Sequence, residues 1–245
     1  MKEWGFKHIS LYFFRSIEMN KLKQCCYNFA LWDPILDLGC GDGTFTKEFF
    51  GEGRNITGID NSQRELDKNK CYRTYKELLL ENACNMTFKN KSFNTVFSNS
   101  VIEHIPDLDN LLNEVSRVLK PGGYFVFTVP TDNFKHFLLF SFSKWYANAR
   151  NKRLNHYHCY SYRKWWDILR EKGLKVENYE YYLPKKALKM WDFLALATFH
   201  FWWITFPFAK LLYAQVEKGI KQHSKERVYY NNGGEIVIIA KKEGV

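Results

Sequence analysis

The chain has 245 residues, of which 46% are hydrophobic and 25% are charged. These values are typical of one folded domain with insertions, or one domain with a small appendage, and they exclude a disordered or fibrous protein. The formal net charge is +10 and it is uneven: residues 1–120 carry 16 basic and 16 acidic side chains, whereas residues 121–245 carry 20 and 10. The basic half predicts an acidic partner, such as a phospholipid, a nucleic acid or a phosphorylated substrate. The alternative is Lys on solvated helix faces.

The six cysteines form no CxxC pair, and no Cys/His spacing resembles a zinc site, so the sequence predicts no metal. The first ten residues carry charge without a sustained apolar run, and we therefore expect no secretion signal. Cysteines of a protein that is not exported remain reduced thiols. We accordingly expect a cytoplasmic protein.

Helix and strand patterns alternate through the first half of the chain. The predicted helices span 8–30, 43–50, 63–71 and 108–119, and the predicted strands span 35–38, 55–60, 76–80, 93–98 and 124–129. This alternation is typical of a parallel sheet that is covered by helices on both faces.

After the fifth strand the pattern becomes looser. It predicts one further helix over 162–172 and two further strands, over 174–182 and 235–240. We therefore predict an α/β fold: a seven-stranded, mostly parallel sheet with helices on both faces and an aromatic helical insert before the last strand. We expect a single domain over 1–245, with a substrate-side insert at 131–160 and an aromatic, basic insert at 184–230.

The strongest motif is a glycine-rich turn between the first strand and the helix after it, DLGCGDG at residues 37–43. Glycines permit positive φ and let a ligand approach the backbone. Asp60 ends the next strand, where a carboxylate can accept hydrogen bonds from ribose hydroxyls. The spacing is G-x-G-x-G, whereas pyrophosphate-binding turns prefer G-x-G-x-x-G. Asp37 and Asp42 would repel a pyrophosphate but suit a ligand with an ammonium group and a sulfonium.

Residues 35–130 resemble the core of class I S-adenosylmethionine-dependent methyltransferases, specifically the type 11 family. Three stretches in the right order carry the resemblance: ILDLGCGDGTF, GIDNS and NACNMTFKNKSFNTVFSNSVIEHIPDLDNLLNEVSRVLKPGGYFVFTVP. The resemblance implies a Rossmann-like fold and an S-adenosyl-L-methionine cofactor. At the methionine end of that cofactor it implies roles for Asp37, Gly39, Cys40 and Gly41.

The same resemblance implies the residues at the other end of the cofactor. Asp60 would bind the ribose, with Asn61 beside it. Asn82 stands where the family usually has an acidic residue facing the adenine amino group, and its amide oxygen can still accept from that group. Ala83 would offer a backbone amide to the ring, and Asn99 would lie near the transferring methyl.

Three histidines are candidates for the base that an oxygen nucleophile usually needs. His104 belongs to a Glu-His pair that relatives with very different substrates share, which favours a structural or pocket role. His156 and His158 precede the helix over 162–172, in a segment that resembles the H-x-x-x-Y-S of type 11 enzymes encoded with glycan-assembly genes. Two imidazoles at i and i+2 of an extended loop point the same way. We therefore prefer this pair to His104 as base, with phosphate binding, a weak metal pair or a plain surface loop as alternatives.

An aromatic run, FLALATFHFWWITFPFA at 193–209, carries no Lys, Arg, Asp or Glu. It is shorter than the ~20 apolar residues that a membrane-spanning helix needs. Trp202 and Trp203 suit a membrane–water boundary, and Lys residues flank the run. Three interpretations remain: a helix lying on an anionic membrane, a buried helix that caps the substrate pocket, or a dimer interface.

We therefore expect a methyltransferase that is peripheral on the inner face of the membrane and O-methylates a glycan, a lipid-linked saccharide or a lipid. One alternative is a small-molecule methyltransferase acting on a quinone-like or other aromatic metabolite. Another is a non-catalytic, cofactor-binding scaffold. Nucleic acid is not expected as a partner, because the fourth strand ends in SNSV at 98–101 without an Asn-Pro-Pro-aromatic motif.

Overall fold

The computed structural model describes residues 9–69, 73–200, 209–225 and 232–244. Within these residues seven strands form one sheet in the order β3-β2-β1-β4-β5-β7-β6. The strands are β1 Ile35–Leu38, β2 Ile56–Asp60, β3 Glu77–Leu80, β4 Phe93–Asn99, β5 Leu119–Pro130, β6 Leu174–Pro184 and β7 Gly233–Lys242. Strand β7 runs antiparallel to β5 and β6, and the other neighbours are parallel.

The predicted α/β fold with a mostly parallel sheet is confirmed. The first four strands begin within two residues of their predicted positions. The fifth is longer than predicted: Phe93 of β4 pairs with Leu119 and Thr95 pairs with Tyr124, with a register shift between the two pairs. The Pro-Gly-Gly segment at 121–123 therefore lies in an irregular part of this strand.

Helices connect the strands and cover the sheet. They are α1 Ile9–Cys26, α2 Thr44–Phe50, α3 Gln63–Asn69, α4 Leu108–Val118, α5 Phe134–Phe137, α6 Lys144–Leu154, α7 Tyr162–Glu171, α8 Lys185–His200 and α9 Ala209–Lys225. Helices α5 and α6, in the insert at 131–160, were not predicted. The Ser143 hydroxyl caps α6 by accepting from the Tyr146 N–H, and Asn155 ends that helix with a φ of 53°.

The hydrophobic core occupies both faces of the sheet. One face packs against α1, α8 and α9, with Phe13, Ile17 and Leu188 fully buried. The other face packs against α4 and α7, with Trp165 fully buried. Helix α1 thus closes one face of the sheet although it precedes β1 in the chain.

The insert at 131–160 is fastened to α8 by a buried carboxylate. Asp192 is fully buried, and its Oδ1 lies 2.7 Å from Nη2 of Arg150 on α6. The Tyr146 hydroxyl donates to Asp192 Oδ2 at 2.6 Å. A buried charge needs such a partner, so these contacts hold α6 against α8.

The aromatic run at 193–209 begins inside α8. Trp191 and Leu194 are buried against the core, whereas Phe193 is exposed. Trp202 and Trp203, on which the membrane interpretation rested, lie outside the described residues. Among the described residues there is no helix long and apolar enough to cross a bilayer.

Candidate active site

The glycine-rich turn joins β1 to α2 at the carboxyl edge of the sheet. Gly39 and Gly41 have φ of 73° and 52°, in the region that favours glycine. A Cβ on Gly39 would lie 2.5 Å from the methyl carbons of Val101, so no larger residue fits there. The Gly41 N–H donates to Asp60 Oδ2 at 2.9 Å, and the Ser62 N–H donates to Asp60 Oδ1 at 2.8 Å. Asp60 therefore fixes the turn to the end of β2.

Asp37 lies beneath this turn. Its Oδ2 accepts from the Thr46 hydroxyl at 2.6 Å and from the Tyr75 hydroxyl at 2.5 Å. Burial raises the pKa of the Asp37 carboxyl to about 6, although the two hydrogen bonds act in the opposite direction. The carboxyl thus links β1 to α2 and to the segment before β3. Cys40 is also buried.

A cavity of about 620 Å³ opens beside the turn, within the range of ligand pockets. Five residues expected to bind the cofactor line it: Gly39, Asp60, Asn61, Asn82 and Ala83. Glu81 and Asp107 add two further carboxyl groups, and none of its described lining residues is Lys or Arg. The cavity therefore attracts a cationic ligand and disfavours a polyphosphate.

Two expected cofactor residues make internal hydrogen bonds. Asn82 Oδ1 accepts from the Cys84 N–H at 2.9 Å, which leaves one lone pair for a ligand. Asn99 Oδ1 accepts from the Thr128 hydroxyl at 3.0 Å, and its Nδ2 donates to Glu18 at 3.3 Å. Asn99 lines neither of the two cavities described here.

A second cavity, of about 140 Å³, shares His104 with the first. Its walls are partly aromatic, from Phe134 and Trp191. Because His104 lines both cavities, a ligand in one can approach a ligand in the other beside this imidazole. His156 also lines the second cavity, with its ring centroid 5.3 Å from that of His104.

Three polar atoms around the second cavity are buried without a hydrogen-bond partner: Glu103 Oε2, Glu235 Oε2 and His156 Nδ1. Burial raises the pKa of Glu103 to about 8 and raises that of Glu235 well above its usual value. Burial, together with the neighbouring His104, lowers the pKa of His156 to about 4. A buried polar atom without a hydrogen-bond partner lowers the stability of the fold. Such atoms are typical of a functional site, where a bound ligand supplies the missing partners.

A charged network fastens α1 over this cavity. Arg15 Nη1 donates to Glu18 Oε2 at 2.6 Å and to the Ser100 hydroxyl at 2.9 Å. The Tyr182 hydroxyl donates to Glu18 Oε1 at 2.7 Å. The sequence analysis noted Glu103 as part of the Glu-His pair, but sequence patterns did not identify Arg15 or Glu235, because each lies in an otherwise ordinary helix or strand.

The structure separates the two histidines that we expected to act together. His156 lines the second cavity, whereas His158 is buried elsewhere, with Nε2 2.8 Å from the Ile105 carbonyl and Nδ1 3.1 Å from the Tyr160 hydroxyl. Both ring nitrogens of His158 are therefore engaged by other groups of the protein. His104, which we ranked third, is the histidine that joins the two cavities.

Comparisons with known proteins agree with this geometry. Residues 36–127 match the type 11 family model that is described as a methyltransferase domain. These residues form a class I methyltransferase domain. The domain's cofactor is S-adenosyl-L-methionine, as the resemblance implied.

Curated relatives match less than half of the chain. A ubiquinone biosynthesis O-methyltransferase of Coxiella burnetii is 28% identical over 108 residues, which are 42% of this chain and 46% of that protein. One of Paracidovorax citrulli is 30% identical over 113 residues, 43% of this chain and 47% of that protein. The chain thus spans about half the length of the curated relatives that it matches.

Solved structures share the fold over most of the chain. The phosphoethanolamine N-methyltransferase 2 of Haemonchus contortus, in complex with phosphomonomethylethanolamine and S-adenosylhomocysteine, superposes with a TM-score of 0.61 at 20% identity. That match covers 93% of this chain and 53% of the other. The [4+2]-cyclase SpnF superposes with a TM-score of 0.62 at 18% identity, covering 94% and 82%.

The buried carboxyl of the methyltransferase domain gives a pH-dependent stability. Folding raises the pKa of Asp37 from 3.8 to about 6, so the folded state retains the proton to higher pH than the unfolded state. The free energy of unfolding therefore falls as pH rises through this window, by about 3 kcal/mol for a shift of roughly two pH units.

Asp37→Asn removes this titration. We expect the variant to gain about 2 kcal/mol relative to the wild type between pH 4 and pH 6, as measured by urea denaturation at both pH values. The same difference in stability at the two pH values would contradict a raised pKa for Asp37.

Proposed function

We propose that this protein transfers a methyl group from S-adenosyl-L-methionine to a hydroxyl group of a small aromatic molecule. The observation that carries the proposal is the junction of two cavities at His104. The first has carboxyl groups and no Lys or Arg among its described lining, and the second is small with partly aromatic walls.

The residues around the first cavity fit the cofactor. The Asp60 carboxylate accepts one hydrogen bond from each of two backbone N–H groups. Its remaining lone pairs can accept hydrogen bonds from the ribose hydroxyls. Asn82 Oδ1 can accept from the adenine amino group with its second lone pair. Gly39 brings backbone close to the ligand, and the carboxylates of the cavity favour the cationic end of the cofactor.

The cofactor, when bound, supplies a methyl group on a positively charged sulfur. The chain's own contribution is first to align the acceptor with that methyl, which is the main requirement for this displacement. His156, whose lowered pKa keeps it uncharged, can accept the proton of the acceptor hydroxyl from within the second cavity. Phe134 and Trp191 exclude water from the reacting groups.

The size of the second cavity favours a small acceptor. At about 140 Å³ and with partly aromatic walls, the cavity suits a compact aromatic acceptor better than a chain of sugars. The curated relatives are named for ubiquinone biosynthesis and for methylation on oxygen, which supports the small-molecule alternative of the sequence analysis. Neither observation supports the glycan or lipid acceptor that we had placed first.

Cofactor binding tests the first cavity. We expect micromolar affinity for S-adenosylmethionine and S-adenosylhomocysteine, roughly −8 kcal/mol, by calorimetry. Asp60→Ala should weaken both by about 1.5–3 kcal/mol, because it removes charge-assisted hydrogen bonds. Asp67→Ala, at an exposed position of α3, is the matched control and should leave affinity unchanged. If the folded wild-type protein binds neither ligand, the proposal fails.

Turnover tests the second cavity. With methyl-labelled cofactor, we expect label to enter phenolic metabolites and not glycan or lipid fractions. His156→Ala should reduce the rate by about 10²–10⁴-fold with cofactor affinity nearly intact, because a general base contributes that much. His136→Ala, at an exposed position of α5, is the matched control. Full turnover in His156→Ala would assign the proton transfer to another group, with His104 the next to test.

We also propose that the protein contacts anionic membranes peripherally, through the insert at 131–160. Phe142 and Trp145 are 86% and 79% exposed, and helix α6 carries basic side chains and no acidic one. Exposed aromatic side chains beside basic residues suit the boundary of an anionic membrane. The sequence analysis had suggested a membrane contact in the insert at 184–230, whereas this proposal places the contact in the insert at 131–160.

Liposome sedimentation tests this contact. We expect binding to anionic vesicles that weakens with salt and is lost when Phe142 and Trp145 are both changed to Ser. Trp32→Ser, which removes an aromatic side chain that is 65% exposed in the loop before β1, is the control and should still sediment. If the wild-type protein stays in the supernatant with every vesicle, this surface does not bind membranes.

A further inference from the structure

The second cavity has more carboxyl groups than cationic side chains around it. Two glutamates, Glu103 and Glu235, line it, and each is only 2% exposed. Arg15 is the one Lys or Arg among its described lining residues, and its guanidinium already donates to Glu18, a third buried carboxyl group. Burial lowers the pKa of both histidines that line the cavity, so neither imidazole adds a positive charge. These three carboxyl groups therefore share one guanidinium.

The two glutamates of the lining are neighbours, and each has an oxygen without a partner. The charge of Glu103 raises the pKa of Glu235, which requires that the two carboxyl groups lie near each other. Oε2 of Glu103 and Oε2 of Glu235 are both buried without a hydrogen-bond partner. Glu103 belongs to the turn that follows β4, and Glu235 pairs with Pro130 at the carboxyl end of β5. Both glutamates therefore reach the cavity from the edge of the sheet that carries the glycine-rich turn.

An ammonium group satisfies these two oxygens better than a hydroxyl group does. It has three N–H donors, so one ammonium can bond to both carboxyl groups, whereas a hydroxyl donates only once. A buried carboxyl group without a partner is unfavourable, and a cation that bonds to it removes that cost. Burial raises the pKa of both glutamates, and a cation beside them favours the ionised form, which binds the cation more strongly.

Aromatic side chains form the remaining wall of the cavity. Phe14, Phe134 and Trp191 line it, and the ring centroids of Phe134 and Trp191 lie 5.8 Å apart. Aromatic rings pack against other rings and also attract cations. Trp191 already has one such contact, because the guanidinium carbon of Arg150 lies 5.4 Å from its ring centroid. The cavity therefore offers a wall for the ring of the acceptor and two carboxyl groups for an ammonium group attached to that ring.

We propose that the methyl acceptor is a phenolic amine whose ammonium group is bound by Glu103 and Glu235. This inference rests on the proposed function, and it adds a class of substrate and two residues that select it. While the amine is paired with carboxylates it stays protonated, so its nitrogen has no lone pair with which to attack the methyl group. The hydroxyl oxygen is then the nucleophile. Its bond to the methyl carbon forms as the S–CH₃ bond breaks, the bonding pair stays on sulfur, and the hydroxyl proton goes to His156.

Three phenols of similar size test the inference on the wild-type protein. They are para-hydroxybenzylamine, para-ethylphenol and para-hydroxybenzoate, each with its meta isomer. Calorimetry in the presence of S-adenosylhomocysteine measures their binding without turnover. We expect the amine to bind about 10–100-fold more tightly than ethylphenol, because hydrogen bonds to charged groups contribute that much, and the benzoate to bind most weakly. With S-adenosylmethionine, the amine should receive its methyl group on oxygen.

Two variants test the residues that select the amine. Glu235→Gln and Glu103→Gln remove the charge with little change in size. Each should lower the preference for the amine over ethylphenol by about tenfold or more and leave the affinity for ethylphenol unchanged, which loss of a merely structural residue would not do. Glu171→Gln, at the exposed end of α7, is the matched control and should keep the full preference. Circular dichroism confirms that each variant is folded.

The possible results separate this inference from the proposed function. Equal binding of the amine and ethylphenol, tighter binding of the benzoate, or a methyl group on nitrogen overturns the phenolic amine. Methylation of ethylphenol or benzoate on oxygen would in that case leave the proposed function standing. Selective binding of the amine that both glutamine variants abolish, without methyl transfer to any of the phenols, would support the ammonium site and contradict the proposed function.

Discussion

The hydrogen bonds from the Gly41 and Ser62 N–H groups to the Asp60 carboxylate are the constraint on which the cofactor cavity depends. They tie the turn after β1 to the end of β2, its neighbour in the sheet. Parallel strands end at one edge, so this tie also fixes the turn relative to Asn82 beyond β3. The positive φ of Gly39 and its close approach to Val101 then leave backbone as the wall of the cavity. One carboxylate thus orders the turn and faces the ligand.

The second cavity depends on buried charge. Glu18 is fully buried and accepts hydrogen bonds from Arg15 and Tyr182, which joins α1 to β6 across the carboxyl edge of the sheet. The charge of Arg15 lowers the pKa of Glu103 and Glu235, but burial has the larger effect and raises the pKa of both. The cavity therefore combines apolar walls with buried polar atoms that lack a hydrogen-bond partner and that a bound acceptor can satisfy.

The sequence predicted the first cavity well because its residues follow a local rule. The glycine turn, Asp60 and Asn82 all lie just after parallel strands, so strand prediction alone brings them to one edge. The contacts of Asp37 beneath the turn could not be predicted, because its hydroxyl partners Thr46 and Tyr75 come from segments whose positions only the fold defines.

The second cavity could not be predicted, since its residues come from α1, the turn after β4, the 131–160 insert, α8 and β7. The two histidines of that insert show the limit clearly. His156 and His158 look equivalent in the sequence, yet the structure places one in the cavity and the other against the Ile105 carbonyl. Helix α6 was likewise missed, because its pattern has no apolar face and it depends on the buried Arg150–Asp192 pair.

The central claim is that the cofactor occupies the first cavity and presents its methyl to the second beside His104. A crystal structure of the protein with S-adenosylhomocysteine tests this most directly. The account predicts ribose hydroxyls within hydrogen-bond distance of Asp60, the adenine beside Asn82 and Ala83, and the sulfur facing His104 and the 140 Å³ cavity. Cofactor bound elsewhere, or bound with its sulfur turned away from His104, would contradict it.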